Sequence, residues 1–299
     1  MSVVDVSHAS YRYGKRTALD DLDLVVPEGA LYALLGPNGS GKTTLLQLLM
    51  GLRRPNAGRV CVFGKERASL TLTDRAKIAY IAEGQRLPKW MRLEQLEAYL
   101  SPLYDGWDAS LAATLRERFE LHPRQVVGTL SRGQRMKVSL LCALAPRPRL
   151  LLMDEPFTGM DALVKDELVR GLLEASGSEG WTVLLCSHDI GELEALADWV
   201  GFLDHGRMRL SETMESLQAR FKHVEMVAPS GSIVAPVEWM SVEHAGQLTT
   251  FITVHSGARP LGPLLRAGYP DASRIAVRDA TLREVFIALA RSDSTEVAA

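Results

Sequence analysis

Short apolar runs alternating with turn residues open the chain. Val3–Ser7 and Leu22–Val26 have the length and composition of strands, and Pro27-Glu28-Gly29 ends the second as a turn. Ala30–Leu35 is apolar throughout. A glycine-rich loop follows it, then the helical pattern Thr44–Met50, which Gly51 stops. Strand, loop and helix in that order begin an α/β domain. Arg59–Phe63 and Ile78–Ile81 read as further strands. From Arg92 to about Ala145 the spacing turns helical, with Leu93, Leu96 and Leu100 on one face and Leu111, Leu115 and Phe119 on another. Strand character returns at Leu150–Met153, Val183–Cys186 and Val200–Leu203, with a helical stretch at Leu163–Ala175. Beyond about Leu217 the texture changes to short strands (Val224–Val227, Phe251–Val254, Ile275–Val277) and helices near Leu261–Ala267 and Leu282–Ala290. The expected organisation is an α/β domain over residues 1–217, carrying a helical insert at about 86–145. A small α+β domain over 218–299 follows, and Ser292–Ala299 reads as a loose tail.

Composition narrows the classes. The chain has 34 Lys+Arg against 36 Asp+Glu, a formal net charge of −2, which argues against nucleic acid as the main partner because phosphate neutralisation needs a basic face. The longest apolar runs are strand-sized, far below the ~20 residues of a membrane-spanning helix, and the N-terminus shows no signal-peptide pattern. Cys61, Cys142 and Cys186 are odd in number, widely spaced and fit neither a metal site nor a disulfide framework; they read as small apolar residues of a reducing compartment. A cytosolic location is expected.

Two segments carry chemistry. Gly36-Pro37-Asn38-Gly39-Ser40-Gly41-Lys42-Thr43 fits Gly-x4-Gly-Lys-[Ser/Thr] between a strand and a helix. Glycines there let backbone N–H groups turn inward around phosphate oxygens at a helix start, Lys42 reaches the outer phosphates, and the Thr43 hydroxyl suits Mg²⁺. The contact set continues to Thr44, the next residue of the helix. The second segment, Leu150–Met153 followed by Asp154-Glu155, is an apolar strand ending in two acids. Asp154 suits a metal and Glu155 an attacking water, a division of labour that fits hydrolysis.

Leu130-Ser131-Arg132-Gly133-Gln134, lying between these two segments, resembles the Leu-Ser-Gly-Gly-Gln signature of the ATP-binding cassette (ABC) ATPases. Ser131 also has the character of an N-cap for a helix running through Met136–Leu144. The resemblance covers roughly residues 2–215 and implies a P-loop NTPase core of ABC type with a helical subdomain, and ATP and Mg²⁺ as cofactors. It implies that Tyr13 stacks on adenine, with Tyr11 a competing candidate, and that His188 is the switch histidine beside the γ-phosphate. It further implies that Ser131, Gly133 and Gln134 face the nucleotide of an opposing subunit, and that Asp161 lies at the dimer contact. Two departures stand out. Arg132 replaces the second glycine of the signature, and Glu83 aligns with the family's metal-contacting glutamine, with Gln85 two positions later as the alternative. Ala280–Phe286 and Tyr104–Asp108 resemble the exporter-type subgroup. The resemblance thus implies an ATPase subunit on the cytoplasmic face of the membrane, working with a second such subunit and with a membrane-spanning permease on a separate chain. Two rivals are weighed against it. A soluble ABC ATPase acting on ribosomes or DNA would carry two cassettes or a long coiled coil, whereas this chain has one phosphate loop and no sustained heptads. A hydrolysis-dead cassette would lack Glu155 or His188.

Overall fold

The structure is a computed structural model. It describes residues 1–296 apart from 192, 195–196, 230–232, 234, 237, 256 and 258, and the side chains of 162–163, 173–179 and 292–296 are likewise outside the description. The chain forms two compact units, Met1–Ser211 and Glu212–Ala299.

The first unit opens with two long antiparallel strands, β1 (Ser2–Tyr13) and β2 (Arg16–Pro27), which pair back to the tip of the hairpin. Both are longer than their apolar runs, because backbone pairing continues through the polar ends Arg12↔Thr17 and Tyr13↔Arg16. Next come β3 (Leu31–Leu35), α1 (Lys42–Met50), β4 (Ala57–Val62) and the short β5 (Lys65–Glu66). One sheet has the order β2-β1-β4-β5. The chain continues through α2 (Leu72–Arg75), β6 (Ile78–Ile81), α3 (Leu93–Leu100), α4 (Ala109–Arg118) and α5 (Arg132–Leu144). Leu93, Leu96, Leu115 and Phe119 are buried, as their spacing requires. Then follow β7 (Leu150–Asp154), α6 (Ala162–Glu179), β8 (Thr182–Ser187), β9 (Trp199–Asp204) and β10 (Arg207–Thr213).

The second sheet has the order β10-β9-β3-β8-β7-β6, and β9, β3, β8, β7 and β6 are parallel. Every residue of β3, β7 and β8 is buried, which explains their unbroken apolar composition. Parallel strands end at one edge of the sheet, so the residues that follow β3, β6, β7 and β8 are gathered there. That edge is where ligands bind in open α/β sheets. Cys61 and Cys186 are buried, Cys142 is half-buried, and all three are free.

The second unit contains α7 (Met214–Arg220), β11 (Phe221–Val227), β12 (Met240–Ala245), β13 (Leu248–Val254), α8 (Leu261–Gly268), β14 (Arg274–Asp279) and α9 (Leu282–Glu296). Its antiparallel sheet, β12-β13-β11-β14, has its own core of Val224, Met226, Phe251 and Leu265, with the Trp239 ring stacked on Phe251. The division falls shortly before the expected Leu217, which lies within α7, a helix capped by the Thr213 hydroxyl. The expected loose tail is corrected as far as residue 296, where α9 continues; residues 297–299 lie outside the described residues.

Candidate functional site

The loop between β3 and α1 is built so that no side chain fills it. A Cβ on Gly36 would stand 2.2 Å from the Leu203 carbonyl oxygen, and one on Gly41 would stand 2.5 Å from that of Ala18. Gly41 also holds φ of 115° as the N-cap of α1 and supplies no side-chain cap, so the first-turn N–H groups of this helix remain available to an anion. Gly39 has φ of 84°, and Ser40 N donates to the Pro37 carbonyl at 3.1 Å, closing the turn over Asn38. Lys42 is only 6% exposed. Its Nζ donates to the carbonyls of Gly36 (2.6 Å) and Pro37 (3.3 Å) and lies 3.4 Å from Glu155 Oε1. A cation, a set of inward N–H groups and a helix dipole therefore converge on one point.

Opposite stand the acids. Asp154 ends β7 and is 1% exposed; burial pushes its carboxyl above the ordinary range, against the Thr43 hydroxyl, which hydrogen-bonds it. The neighbouring charges of Glu155 and Glu83 push in the same direction as burial. Tyr80 on β6 faces Asp154, and burial with that carboxylate pushes its phenol up to about 12. Glu155 has left-handed backbone, φ 47°, a conformation that costs on the order of 1–3 kcal/mol outside glycine. Its N–H donates to the Cys186 carbonyl at 2.9 Å, so the end of β8 holds it there. Glu155 Oε2 is paired with His188 Nδ1 at 2.7 Å and accepts from His188 N and the Thr158 hydroxyl, each at 3.3 Å.

Three buried oxygens, Ser40 Oγ, Asp154 Oδ1 and Glu155 Oε1, have no hydrogen-bond partner among the described residues. Glu155 Oε1 is at ion-pair distance from Lys42 without hydrogen-bond geometry. Unpartnered oxygens facing a phosphate-type loop fit a divalent cation with its phosphate and water ligands. Among the described residues no group of three His, Cys, Asp or Glu side chains stands ready to hold a metal alone, so hydroxyl and phosphate oxygens would have to complete the set.

The cleft in front of the loop, about 390 Å³, is lined by Tyr13, Arg16, Asn38–Thr44, Glu83 and Glu155. Glu83 thus shares the cleft with Thr43, whereas Gln85 does not line it; Gln85 lines two other cavities, one of them with Arg132, Arg135, Ser139 and also Glu155, which borders both. Tyr13 lies in the cleft, its hydroxyl 3.3 Å from Thr44 Oγ1 and donating to Gln47 Oε1 at 3.1 Å. Tyr11 does not line the cleft; its hydroxyl accepts from Arg53 at 2.8 Å. Sequence reasoning missed Arg16, whose Nη2 would be 3.2 Å from a Cβ on Gly39. It also missed Thr158, Tyr80 and Arg53, whose guanidinium lies over the Tyr13 ring, 4.6 Å from its centroid. Only the Tyr13↔Arg16 register places that arginine, and no local pattern signals it.

A second group of expected residues stands apart from this cleft. Ser131 and Gln134 form a reciprocal capping box at the start of α5: Gln134 N donates to Ser131 Oγ (3.2 Å) and Ser131 N to Gln134 Oε1 (3.0 Å). The helix begins at Arg132, directly after the Ser131 N-cap, as expected. Gly133 is buried, and a Cβ there would meet Val164 Cγ1 at 2.4 Å, so packing against α6 accounts for the glycine. The Arg132 guanidinium covers Gly159. Asp161 Oδ1 accepts from Val164 N at 3.0 Å. The chain therefore brings residues 36–44, Tyr13, Glu83, Asp154, Glu155 and His188 together, and leaves Ser131, Gly133, Gln134 and Asp161 outside the cleft.

Comparison with known proteins gives the same direction. A family model described as "ABC transporter" matches residues 19–158. The sulfate/thiosulfate import ATP-binding protein CysA of Xanthomonas campestris is 37% identical over 219 residues, covering 70% of this chain and 64% of that protein, so this chain spans less than two thirds of that relative's length. The Fe(3+) ions import ATP-binding protein FbpC of Streptomyces coelicolor is 34% identical, covering 87% and 79%. The daunorubicin resistance ATP-binding protein DrrA3 of Streptomyces coeruleorubidus is 32% identical over 98% of this chain and 97% of its own. Among solved structures, an ATP-binding subunit of an ABC transporter superposes with a TM-score of 0.65 at 28% identity, covering 73% and 92%. A dimeric cassette in a post-hydrolysis state with ADP and Pi gives a TM-score of 0.61 at 25% identity, covering 71% and 98%.

Proposed function

This chain belongs to the ATP-binding subunits of ABC transporters, and on that premise we propose that it hydrolyses ATP to drive a membrane-spanning permease carried on a separate chain. The observation that carries the reading is Glu155, held between Lys42 and His188 at the mouth of the phosphate loop. Lys42 and the first-turn N–H groups of α1 bind the outer phosphates, and Tyr13 takes the base. Glu155 receives the proton of the attacking water, while His188 fixes the carboxylate's orientation through its Nδ1. Thr43, Asp154 and Glu83 are the residues that would hold Mg²⁺, which when bound neutralises phosphate charge as the bond breaks.

Ser131, Gly133, Gln134 and Asp161 serve the nucleotide of a second copy or a paralogue, which accounts for their distance from this chain's own cleft. For the permease contact we assign the cavity of about 380 Å³ lined by Met50, Leu87, Pro88, Tyr99, Leu100 and Tyr104, near the 79%-exposed Trp90. No helix of the described residues is long and apolar enough to cross a membrane, and docking on such a permease would hold the chain at the cytoplasmic face. An exporter-type assembly is supported by the likeness to DrrA3, which runs through both units of this chain.

Phosphate release from ATP by the purified protein tests the core of this reading. Wild type should turn over with Mg²⁺, and Lys42→Ala should lose nucleotide affinity with it. Wild-type protein that neither binds nor hydrolyses ATP overturns the reading.

A further inference from the structure

At the far end of α1 from the phosphate loop lies a cavity of about 330 Å³ lined by five arginines, Arg53, Arg54, Arg59, Arg67 and Arg75, against one acid, Glu66. The concentration is unusual for this chain, in which acids outnumber Lys and Arg. Surface charge is ordinarily interspersed in sign. None of the five forms an ion pair with a carboxylate among the described residues.

Local structure explains two of them. Arg67 is more than nine-tenths buried; its Nε donates to the Leu49 carbonyl at 2.5 Å and its Nη2 to that of Met50, so it satisfies the last carbonyls of α1. Arg53 donates to Gln47 Oε1 (2.5 Å) and to the Tyr11 hydroxyl (2.8 Å). Among the described residues Arg75 donates only to the Leu70 carbonyl, at 3.3 Å. The Arg54 and Arg59 guanidiniums have no hydrogen-bond partner among the described residues, although both line the cavity. Burial, and after it the charge of Arg75, push Arg67 below the ordinary arginine range. Guanidinium forks match phosphate oxygens in geometry, and a cavity of this size lies at the small end of ligand sites.

We propose that this cavity is an anion site for a small phosphate-bearing ligand of diphosphate size, held chiefly by Arg54, Arg59 and Arg75 over the buried Arg67. The same chemistry is presented by a soluble diphosphate and by an anionic phospholipid headgroup. The site is separate from the nucleotide cleft: none of its lining residues lines that cleft. It therefore stands or falls independently of the ATPase reading.

The test uses inorganic pyrophosphate and isothermal titration of the full chain. Wild type should titrate with two sites, and Lys42→Ala should retain one. Adding Arg54→Ala and Arg59→Ala to Lys42→Ala should weaken that remaining site at least about tenfold, since two charge-assisted hydrogen bonds are removed. Arg54 and Arg59 are exposed, so the melting temperature of the variants should stay within about two degrees of the parent, which excludes unfolding as the cause. Absence of pyrophosphate binding in Lys42→Ala overturns the proposal, as does equal affinity with and without the two arginines. Flotation with phosphatidylcholine vesicles, with and without phosphatidylglycerol, identifies the source. Recovery that depends on phosphatidylglycerol and on Arg54 and Arg59 assigns the headgroup, and pyrophosphate binding without flotation assigns the soluble anion.

Discussion

Replacing Glu155 by Gln changes one oxygen to an amide and leaves the outline of the side chain intact. His188 N and the Thr158 hydroxyl keep an acceptor in the new amide oxygen, so the local structure should hold. The proton acceptor is lost. A positioned general base contributes typically 10²–10⁴-fold, or about 3–5 kcal/mol of barrier at 1.36 kcal/mol per decade. Binding should move the other way. In the resting protein Lys42 Nζ lies 3.4 Å from the Glu155 carboxylate, which competes with an incoming phosphate for the same cation. Unit charges about 4 Å apart at an effective dielectric of about 20 interact by roughly 4 kcal/mol before desolvation is counted. Even a third of that, returned to nucleotide binding, tightens ATP affinity by about tenfold. The expected variant therefore binds ATP at least as well as wild type, turns over at least about a hundredfold more slowly, and accumulates as an ATP-bound dimer. Equilibrium binding of labelled ATP, single-turnover phosphate release and size-exclusion chromatography measure the three effects. Hydrolysis within tenfold of wild type, or ATP affinity weakened by more than tenfold, refutes the roles given to Glu155 and Lys42.

Glu83→Ala should raise the Mg²⁺ concentration required for half-maximal hydrolysis and leave metal-free ATP binding nearly unchanged, whereas Gln85→Ala should not move the Mg²⁺ dependence; the reverse pattern would give the metal to Gln85. Gly133→Ala should cost about 1–3 kcal/mol of unfolding free energy by overpacking against Val164, and Val164→Ala in the same chain should recover part of it; chemical denaturation that shows no loss in the single variant would remove the packing explanation. Hydrogen bonds from Arg278 hold the Glu284 carboxyl down at about 2, from 4.5 in its ordinary state. Its contribution is therefore full above pH 4.5 and lost as pH falls toward 2. Glu284→Gln should accordingly destabilise the second unit at neutral pH and match wild type near pH 2, and a pH-independent difference in melting would contradict this.

The legible parts of the molecule were those where one short segment carries both the backbone requirement and the chemistry. Gly36–Thr43 and Asp154-Glu155 each announce a strand end, a turn and a function within a few residues, and the parallel sheet then brings them together without further instruction. Residues whose position depends on pairing between distant segments left no such mark. Arg16 reaches the phosphate loop because β1 and β2 zip to the tip of their hairpin, and Arg53 reaches the Tyr13 ring across the end of α1. The choice between Glu83 and Gln85 depended on where the turn after β6 sends each side chain, which spacing alone left open. Gly133 carries a requirement of another kind: beside the nucleotide contact that its motif position implies, the close approach of a Val164 methyl group demands glycine there, and no local pattern signals that packing. In the second unit, β12 was missed because its alternation is confined to Met240 and Val242, neither fully buried, and is too short to stand out as a strand.

The left-handed backbone at Glu155 has an evolutionary consequence. On conformational grounds that position favours glycine or asparagine, neither of which can accept a proton from water. Stability and turnover therefore select opposite residues at one codon. Drift alone would move this position toward a sturdier and inert protein, so the carboxylate persists only under continuous selection for catalysis. In a duplicated copy freed from that selection, 155 is expected to be among the first positions to decay, ahead of the phosphate loop, whose glycines are required by their close packing as well as by the ligand.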